Sequence, residues 1–308
     1  MITIGTRGSK LALYQANKLK NILENEYPDK KFEIKIIVTK GDKIQDVPLS
    51  KIGDKGLFTK ELEVELIAGG IDMAVHSLKD LPTVFPQGTK LGGVLERAEP
   101  KDALITKDGR LLNQLTAEDK IATSSLRRKA SLLAYNPNLQ IVDIRGNVDT
   151  RLRKMDEGYC DAMVMAAAGL QRLDYGHRIT QLLDTDIIIP APGQGAIAIE
   201  IRDNDEKIGQ LIDKINHPDT FITTQAERKF LQLLEGGCQI PIGCHAVLEN
   251  DSMELTGFLS DLEGKIIFIE RVSGSKHFGL KLAEELASIV LNKGGKAVLD
   301  DIFKSHRS

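Results

Sequence analysis

One short pattern recurs along this chain and limits its fold more than any other feature: an apolar run breaks into a small or basic polar turn, and the turn opens a helical pattern. Ile2 to Gly5 alternates like a strand, Thr6-Arg7-Gly8-Ser9 follows, and Leu13, Ala16, Leu19 and Leu23 then fall on one helical face. Phe32 to Val38 reads as the second strand of a βαβ unit. Further on, Lys120 to Thr123 runs into Ser124-Ser125-Leu126-Arg127-Arg128, and Leu139 to Ile144 runs into Arg145-Gly146-Asn147 and a helix carrying Arg151 and Arg153. Ala162 to Met165 is followed in the same way by Ala168-Gly169-Leu170-Gln171-Arg172. Strands alternating with helices specify an α/β fold. A helix that opens directly after a strand presents free backbone N–H groups and a positive dipole end, and an arginine beside it adds a planar fork that stays charged. One such turn means little, and Ser9 can be a plain cap. The recurrence points to local sites for anions.

Between these units the chain changes character in three places. A polar loop from Thr39 to Gly56 carries Lys51, Gly53, Lys55 and Gly56 and suits either a mobile cover or a plain surface loop. A helix over Phe58 to Leu66 is stopped by Gly69-Gly70, and the apolar strand Ile71 to Val75 leads into His76-Ser77-Leu78-Lys79-Asp80-Leu81-Pro82. Asp80 stands where an open α/β sheet places its ligands, at the carboxyl end of a buried strand, and is a candidate catalytic carboxylate as well as a candidate turn residue before proline. The periodicity then breaks at Arg97-Ala98-Glu99-Pro100-Lys101-Asp102 and again at Pro190-Ala191-Pro192-Gly193-Gln194-Gly195. Two breaks predict a chain that leaves one domain, builds a second and returns, giving a hinged cleft. We expect a discontinuous first domain of residues 1–97 and 194–216, a second of 98–193, and a third, α+β, of 217–308. The third holds Leu234 to Gly243, where Cys238 sits among glycines and a proline on a loop suited to presenting a thiol or, equally, to burying a small hydrophobe.

Composition removes several classes of function. At 308 residues the chain is too long for one ordinary core, and 42% hydrophobic with 28% charged residues describes a globular protein without a membrane-length apolar run. A net charge of -3 argues against a nucleic-acid protein, so positive charge must be concentrated locally. Three cysteines fit reduced thiols better than a disulfide framework, and the opening MITIGTRG lacks a secretory pattern, so the expected compartment is the cytosol. Cys244-His245 near Cys238 fits no common zinc spacing, and no metal is expected.

Seven blocks together resemble the hydroxymethylbilane synthase, or porphobilinogen deaminase, family: TRGSKLAL (6–13), KGLFTKELE (55–63), AVHSLKDLP (74–82), TSSLRR (123–128), RGNVDTRL (145–152), PAPGQGA (190–196) and LEGGCQIPIG (234–243). The resemblance covers essentially the whole chain. It implies an α/β fold with two periplasmic-binding-protein-like domains joined by a hinge and a C-terminal α+β domain carrying a cofactor cysteine. It implies that Cys238 bears a dipyrromethane cofactor through a thioether, and that four porphobilinogen units are joined head to tail on it with loss of ammonia before hydrolysis releases hydroxymethylbilane. Asp80 inherits the catalytic role. Lys79, Asp80, Ser125, Arg127, Arg128, Arg145, Gly146 and Gln194 fall at cofactor-binding positions, and Arg7, Ser9, Lys51, Lys55, Arg151 and Arg172 at substrate-binding ones. The implied protein is a cytoplasmic monomer acting on a small molecule, with no nucleic acid, membrane or metal partner. A dicarboxylate-binding protein would show a similar arginine-lined cleft yet leaves Cys238 without a role. A thiol acyl transferase would use the cysteine, but no His and Asp are placed by sequence to activate it.

Overall fold

The computed structural model describes residues 1–43, 56–235 and 239–305. It divides into two compact units: one holds the described residues of 1–98 together with 195–221, the other 99–194 and those of 222–308.

The first unit is built on a five-stranded sheet. Strands β1 (Ile2–Thr6), β2 (Phe32–Ile36) and β3 (Met73–Ser77) are parallel, while β10 (Ile197–Arg202) runs antiparallel between β3 and β4 (Thr89–Val94), giving the order β2-β1-β3-β10-β4. The central strands β3 and β10 are buried except at their last residues, Ser77 and Arg202, as strands covered on both faces are, and they carry His76 and Glu200 into that buried setting. Helix α1 (Lys10–Glu26) buries Ala16, Leu19 and Leu23 with α7 (Glu206–Asp213) against Ile4, Met73, Val75 and Ile199. The other face packs Leu62 and Leu66 of α3 (Lys60–Ile67) on Ile71 and Ala74. A short helix α2 (Lys40–Lys43) follows β2.

The second unit contains two sheets. One repeats the first unit's plan: β6 (Lys120–Ala122), β7 (Gln140–Val142) and β8 (Ala162–Ala166) are parallel, and β5 (Asp102–Thr106) lies antiparallel between β8 and β9 (Gln181–Leu182), in the order β7-β6-β8-β5-β9. Its helices are α4 (Leu126–Tyr135), α5 (Val148–Asp156) and α6 (Ala167–Arg172). The other sheet is an antiparallel meander of β11 (Ile242–Glu249), β12 (Ser252–Ser260) and β13 (Ile267–Ser275). Phe230 of α8 (Pro218–Leu233) and Leu286 of α9 (Gly279–Val290) fill its core, with α10 (Lys296–Ser305) adding Val298, Leu299 and Ile302. The fold class is therefore mixed α/β: two open sheets of one topology and a C-terminal sheet with helices. Sequence periodicity alone misses β4, β5 and β9. Among the described residues no helix is long and apolar enough to cross a membrane.

Candidate functional site

In each of the five-stranded sheets three neighbouring strands are parallel, so their carboxyl ends lie along one edge, and the chain leaves each strand there into a turn or a helix start. That edge is where open α/β sheets bind ligands. In the first unit it carries the turns after β1 and β3. Ser9 caps α1, its Oγ accepting from the Ala12 N–H at 3.3 Å. Arg7 donates from Nη2 to Oδ1 of Asp42 at 2.5 Å and from Nε to the same oxygen at 3.2 Å, and its guanidinium carbon lies 4.2 Å from the centre of the Phe58 ring. Burial opposes ionisation of Asp42, but hydrogen bonds from Arg7 and Thr39 outweigh it and hold the carboxyl below its ordinary range.

Beyond β3 the chain makes a single 3₁₀ turn over Leu78–Asp80. Leu78 is wholly buried and donates its N–H to Ala196 at 3.1 Å, while buried Gln15 of α1 donates to Ser77 Oγ at 2.8 Å. These contacts fix the strand end from two sides. Lys79 is half-buried on the turn and Asp80 is exposed. The histidine just before it has a structural setting: Nε2 of His76 lies 3.0 Å from Oε2 of the fully buried Glu200, whose Oε1 accepts from Thr89 Oγ1 at 2.7 Å. Glu63 of α3 is close enough to feel both, and burial, with Glu200 adding repulsion, raises its pKa.

In the second unit the three parallel strands β6, β7 and β8 end at the starts of α4, α5 and α6. Ser125 caps α4 through a 3.4 Å contact from the Arg128 N–H. Arg127 and Arg128 are buried and converge on one carboxylate, Asp102, which opens β5 and is wholly buried. Nη1 of Arg127 donates to Asp102 Oδ2 at 2.8 Å and to the Ile189 carbonyl at 2.7 Å. Arg128 donates to Oδ1 from Nε at 3.1 Å and Nη2 at 2.7 Å, and from Nη1 to the Val164 carbonyl at 3.3 Å. Gln194, also buried, donates from Nε2 to the same Oδ1 at 2.8 Å and to the Pro100 carbonyl at 2.7 Å. Burial alone would raise the Asp102 pKa, but the two guanidinium groups reverse this and hold the carboxyl far below its ordinary range. Sequence reasoning passes over Asp102 as part of a domain crossing; the readable signal is an acid opening the apolar run Ala103-Leu104-Ile105.

At the next strand end Gly146 sits at φ 118°, and a Cβ there would meet Thr150 Cγ2 at 2.6 Å, so the tight turn into α5 requires glycine. Asn147 caps that helix by accepting from Thr150 N–H at 2.9 Å. Arg151 folds back to donate from Nε to the Gly146 carbonyl at 2.8 Å, and Lys154 donates to the Arg145 carbonyl at 3.1 Å. Arg145, Arg151 and Arg172, the last ending α6, are half-buried. The connector holding Gln194 is pinned in place by the buried Glu227, which accepts from the Gly193 N–H at 2.7 Å and the Ala246 N–H at 2.8 Å. Glu227, unlike Asp102, has no readable signal in the sequence around it. Lys51, Lys55 and Cys238 lie outside the described residues. Of the other thiols, Cys244 is buried in the third sheet's core, and Cys160 is buried with its pKa pushed up to about 11 by that burial. Among the described residues no cluster of three His, Cys, Asp or Glu side chains is placed to hold a metal ion.

Comparison with known families matches residues 2–210 to "Porphobilinogen deaminase, dipyromethane cofactor binding domain" and residues 221–288 to "Porphobilinogen deaminase, C-terminal domain". Porphobilinogen deaminase of Trichlorobacter lovleyi is 47% identical over 303 residues, covering 98% of this chain and 97% of its own. That of Syntrophomonas wolfei is 48% identical over 307 residues, covering 98% and 99%. Among solved structures the periplasmic aliphatic sulphonate binding protein SsuA from Escherichia coli aligns over 95% of this chain and 87% of its own, at 15% identity and a TM-score of 0.41. Family models covering most of the chain, and relatives nearly half identical over almost its whole length, lead to one conclusion: the chain belongs to the porphobilinogen deaminase family.

Proposed function

We propose that this chain joins four porphobilinogen molecules head to tail, with release of ammonia, and hydrolyses off the linear tetrapyrrole hydroxymethylbilane, a step of porphyrin and haem synthesis. The observation that carries this reading is family membership over nearly the whole chain. Cys238 is the attachment point of a dipyrromethane cofactor, which when bound supplies the pyrrole carbon at which the product chain starts. The residues present suit a ligand of that kind. Among the described residues Arg127 has no acceptor for Nε or Nη2, the paired edge of the guanidinium that grips a carboxylate, and the cofactor's acetate and propionate groups are carboxylates.

In this reading Lys79, Ser125, Arg127, Arg128, Arg145, Gly146 and Gln194 serve the cofactor, and Arg7, Ser9, Lys51, Lys55, Arg151 and Arg172 the incoming substrate. Each added pyrrole brings two more carboxylates, which arginines answer bidentately without losing charge. Asp80 is the catalytic carboxylate. Loss of ammonia leaves the substrate pyrrole electron-poor, and a carboxylate held near the ring nitrogen stabilises that charge and moves its proton. The buried Leu78 that opens the 3₁₀ turn supports this role, because it anchors the backbone that carries the exposed Asp80. We divide the chain into residues 1–97 with 194–216, 98–193, and 217–308, a division supported by three sheets that each draw their strands from one of these segments. The reading includes a cytoplasmic monomer that needs no metal.

Intact mass of the purified protein, beside Cys238→Ser, tests the proposal. The wild type, incubated with porphobilinogen if isolated without cofactor, gains a mass equal to two linked pyrrole units and then releases ammonia; Cys238→Ser gains none. A wild type that stays unmodified and releases no ammonia overturns the reading.

A further inference from the structure

Three of the residues assigned to the cofactor, Arg127, Arg128 and Gln194, meet at a carboxylate that no such role has been given. Asp102 is wholly buried and accepts from all three, while the Ile189 carbonyl takes the remaining capacity of Arg127 Nη1. A guanidinium carries its donors in one rigid plane, so fixing Nη1 against two acceptors fixes where Nε and Nη2 lie. Those two atoms have no acceptor among the described residues. Arg128, by contrast, is engaged along its whole fork by Asp102, Val164 and Gln194.

We propose that Asp102 is a positioning residue for carboxylate binding: it locks the Arg127 guanidinium in the plane that offers its Nε/Nη2 edge to a cofactor or substrate carboxylate. The inference rests on the functional reading above. Asp102 touches no ligand in this account. It also offsets the charge of two adjacent buried guanidinium groups, which would otherwise repel each other and turn apart. Gln194 donates to Oδ1, the oxygen that Arg127 does not use, and to the Pro100 carbonyl, which restrains the acceptor itself.

Charge and positioning make opposite predictions. Asp102→Asn removes a negative charge beside the arginines, and if charge alone mattered it would tighten the binding of an acidic substrate. Positioning predicts the reverse. For Asp102→Asn we expect loading of the dipyrromethane, followed by intact mass after incubation with porphobilinogen, to fall, or KM for porphobilinogen to rise about tenfold or more with a smaller change in kcat. Full loading with an unchanged or lower KM, whatever the thermal midpoint, overturns the proposal. The unmodified chain gives an independent measurement, which decides the matter if the variant does not fold: nitrogen NMR of the arginine side chains, with Arg127 assigned by Arg127→Lys. Separate Nη signals for Arg127 mean hindered rotation and support the lock; a single averaged signal overturns it. A wild type inactive toward porphobilinogen defeats the functional reading, and the NMR result still stands or falls by itself.

Discussion

Asp80 and Glu63 are both carboxylates of the first unit, one exposed and the other buried. Asp80 is exposed at the end of a 3₁₀ turn whose first residue, Leu78, is buried, so its side chain is open to a ligand while its backbone is anchored. Asp80→Asn keeps shape and removes charge; turnover of porphobilinogen should fall about 10²–10⁴-fold from the acid–base role alone, with the cofactor still attached by intact mass. An enzyme keeping most of its rate would remove Asp80 from the mechanism. Glu63 is buried near Glu200 and His76, and its pKa is raised by that burial. A carboxyl whose folded pKa exceeds its unfolded one holds its proton more tightly in the native state, so stability is lost as pH rises above the ordinary carboxylate range. Glu63→Gln removes that loss. Its thermal midpoint should exceed the wild type's at pH 7–8, and the difference should shrink toward zero near pH 4; an equal or larger difference at the acid end contradicts the assignment.

Among elements, α8 and α9 pack closely on β12. Gly257 lies in the middle of β12, opposite Cys244 on β11 and Glu270 on β13. A Cβ built there would stand 2.6 Å from Phe230 Cζ and 3.0 Å from Leu286 Cδ2, both fully buried. Gly257→Ala therefore overpacks a filled core and should cost about 1–3 kcal/mol in denaturant unfolding, despite alanine's ordinary tolerance in strands. A variant as stable as wild type would mean that Phe230 can shift without loss. The helix starts of the second unit follow a different logic. Ser125 and Asn147 close α4 and α5 with their own side chains, and the same turns carry Arg127, Arg128, Arg145 and Gly146. Capping and anion binding draw on one local geometry, which explains why a plain-cap reading and a binding reading of such turns look alike in sequence.

At the scale of the whole molecule, the two five-stranded sheets share one strand order, with the fourth place taken in each by an antiparallel strand that adjoins a crossing of the chain: β10 just after the second crossing and β5 just after the first. Neighbouring residues by themselves determined the alternation of strands and helices, the anion-suited turns at Arg7, Ser125 and Arg145, and the placing of Asp80 at a strand's carboxyl end, because periodicity and turn chemistry report how a local backbone divides its faces between core and solvent. The family resemblance rests on the same local blocks. Only the tertiary structure decided that β4 and β5 join these sheets, that His76 faces a buried glutamate, and that Asp102 gathers Arg127 and Gln194 from 25 and 92 residues away. The reason is energetic. A buried charge is tolerated only where partners from distant parts of the chain neutralise it and satisfy its hydrogen bonds, and a sequence shows the charge without showing which partners will reach it.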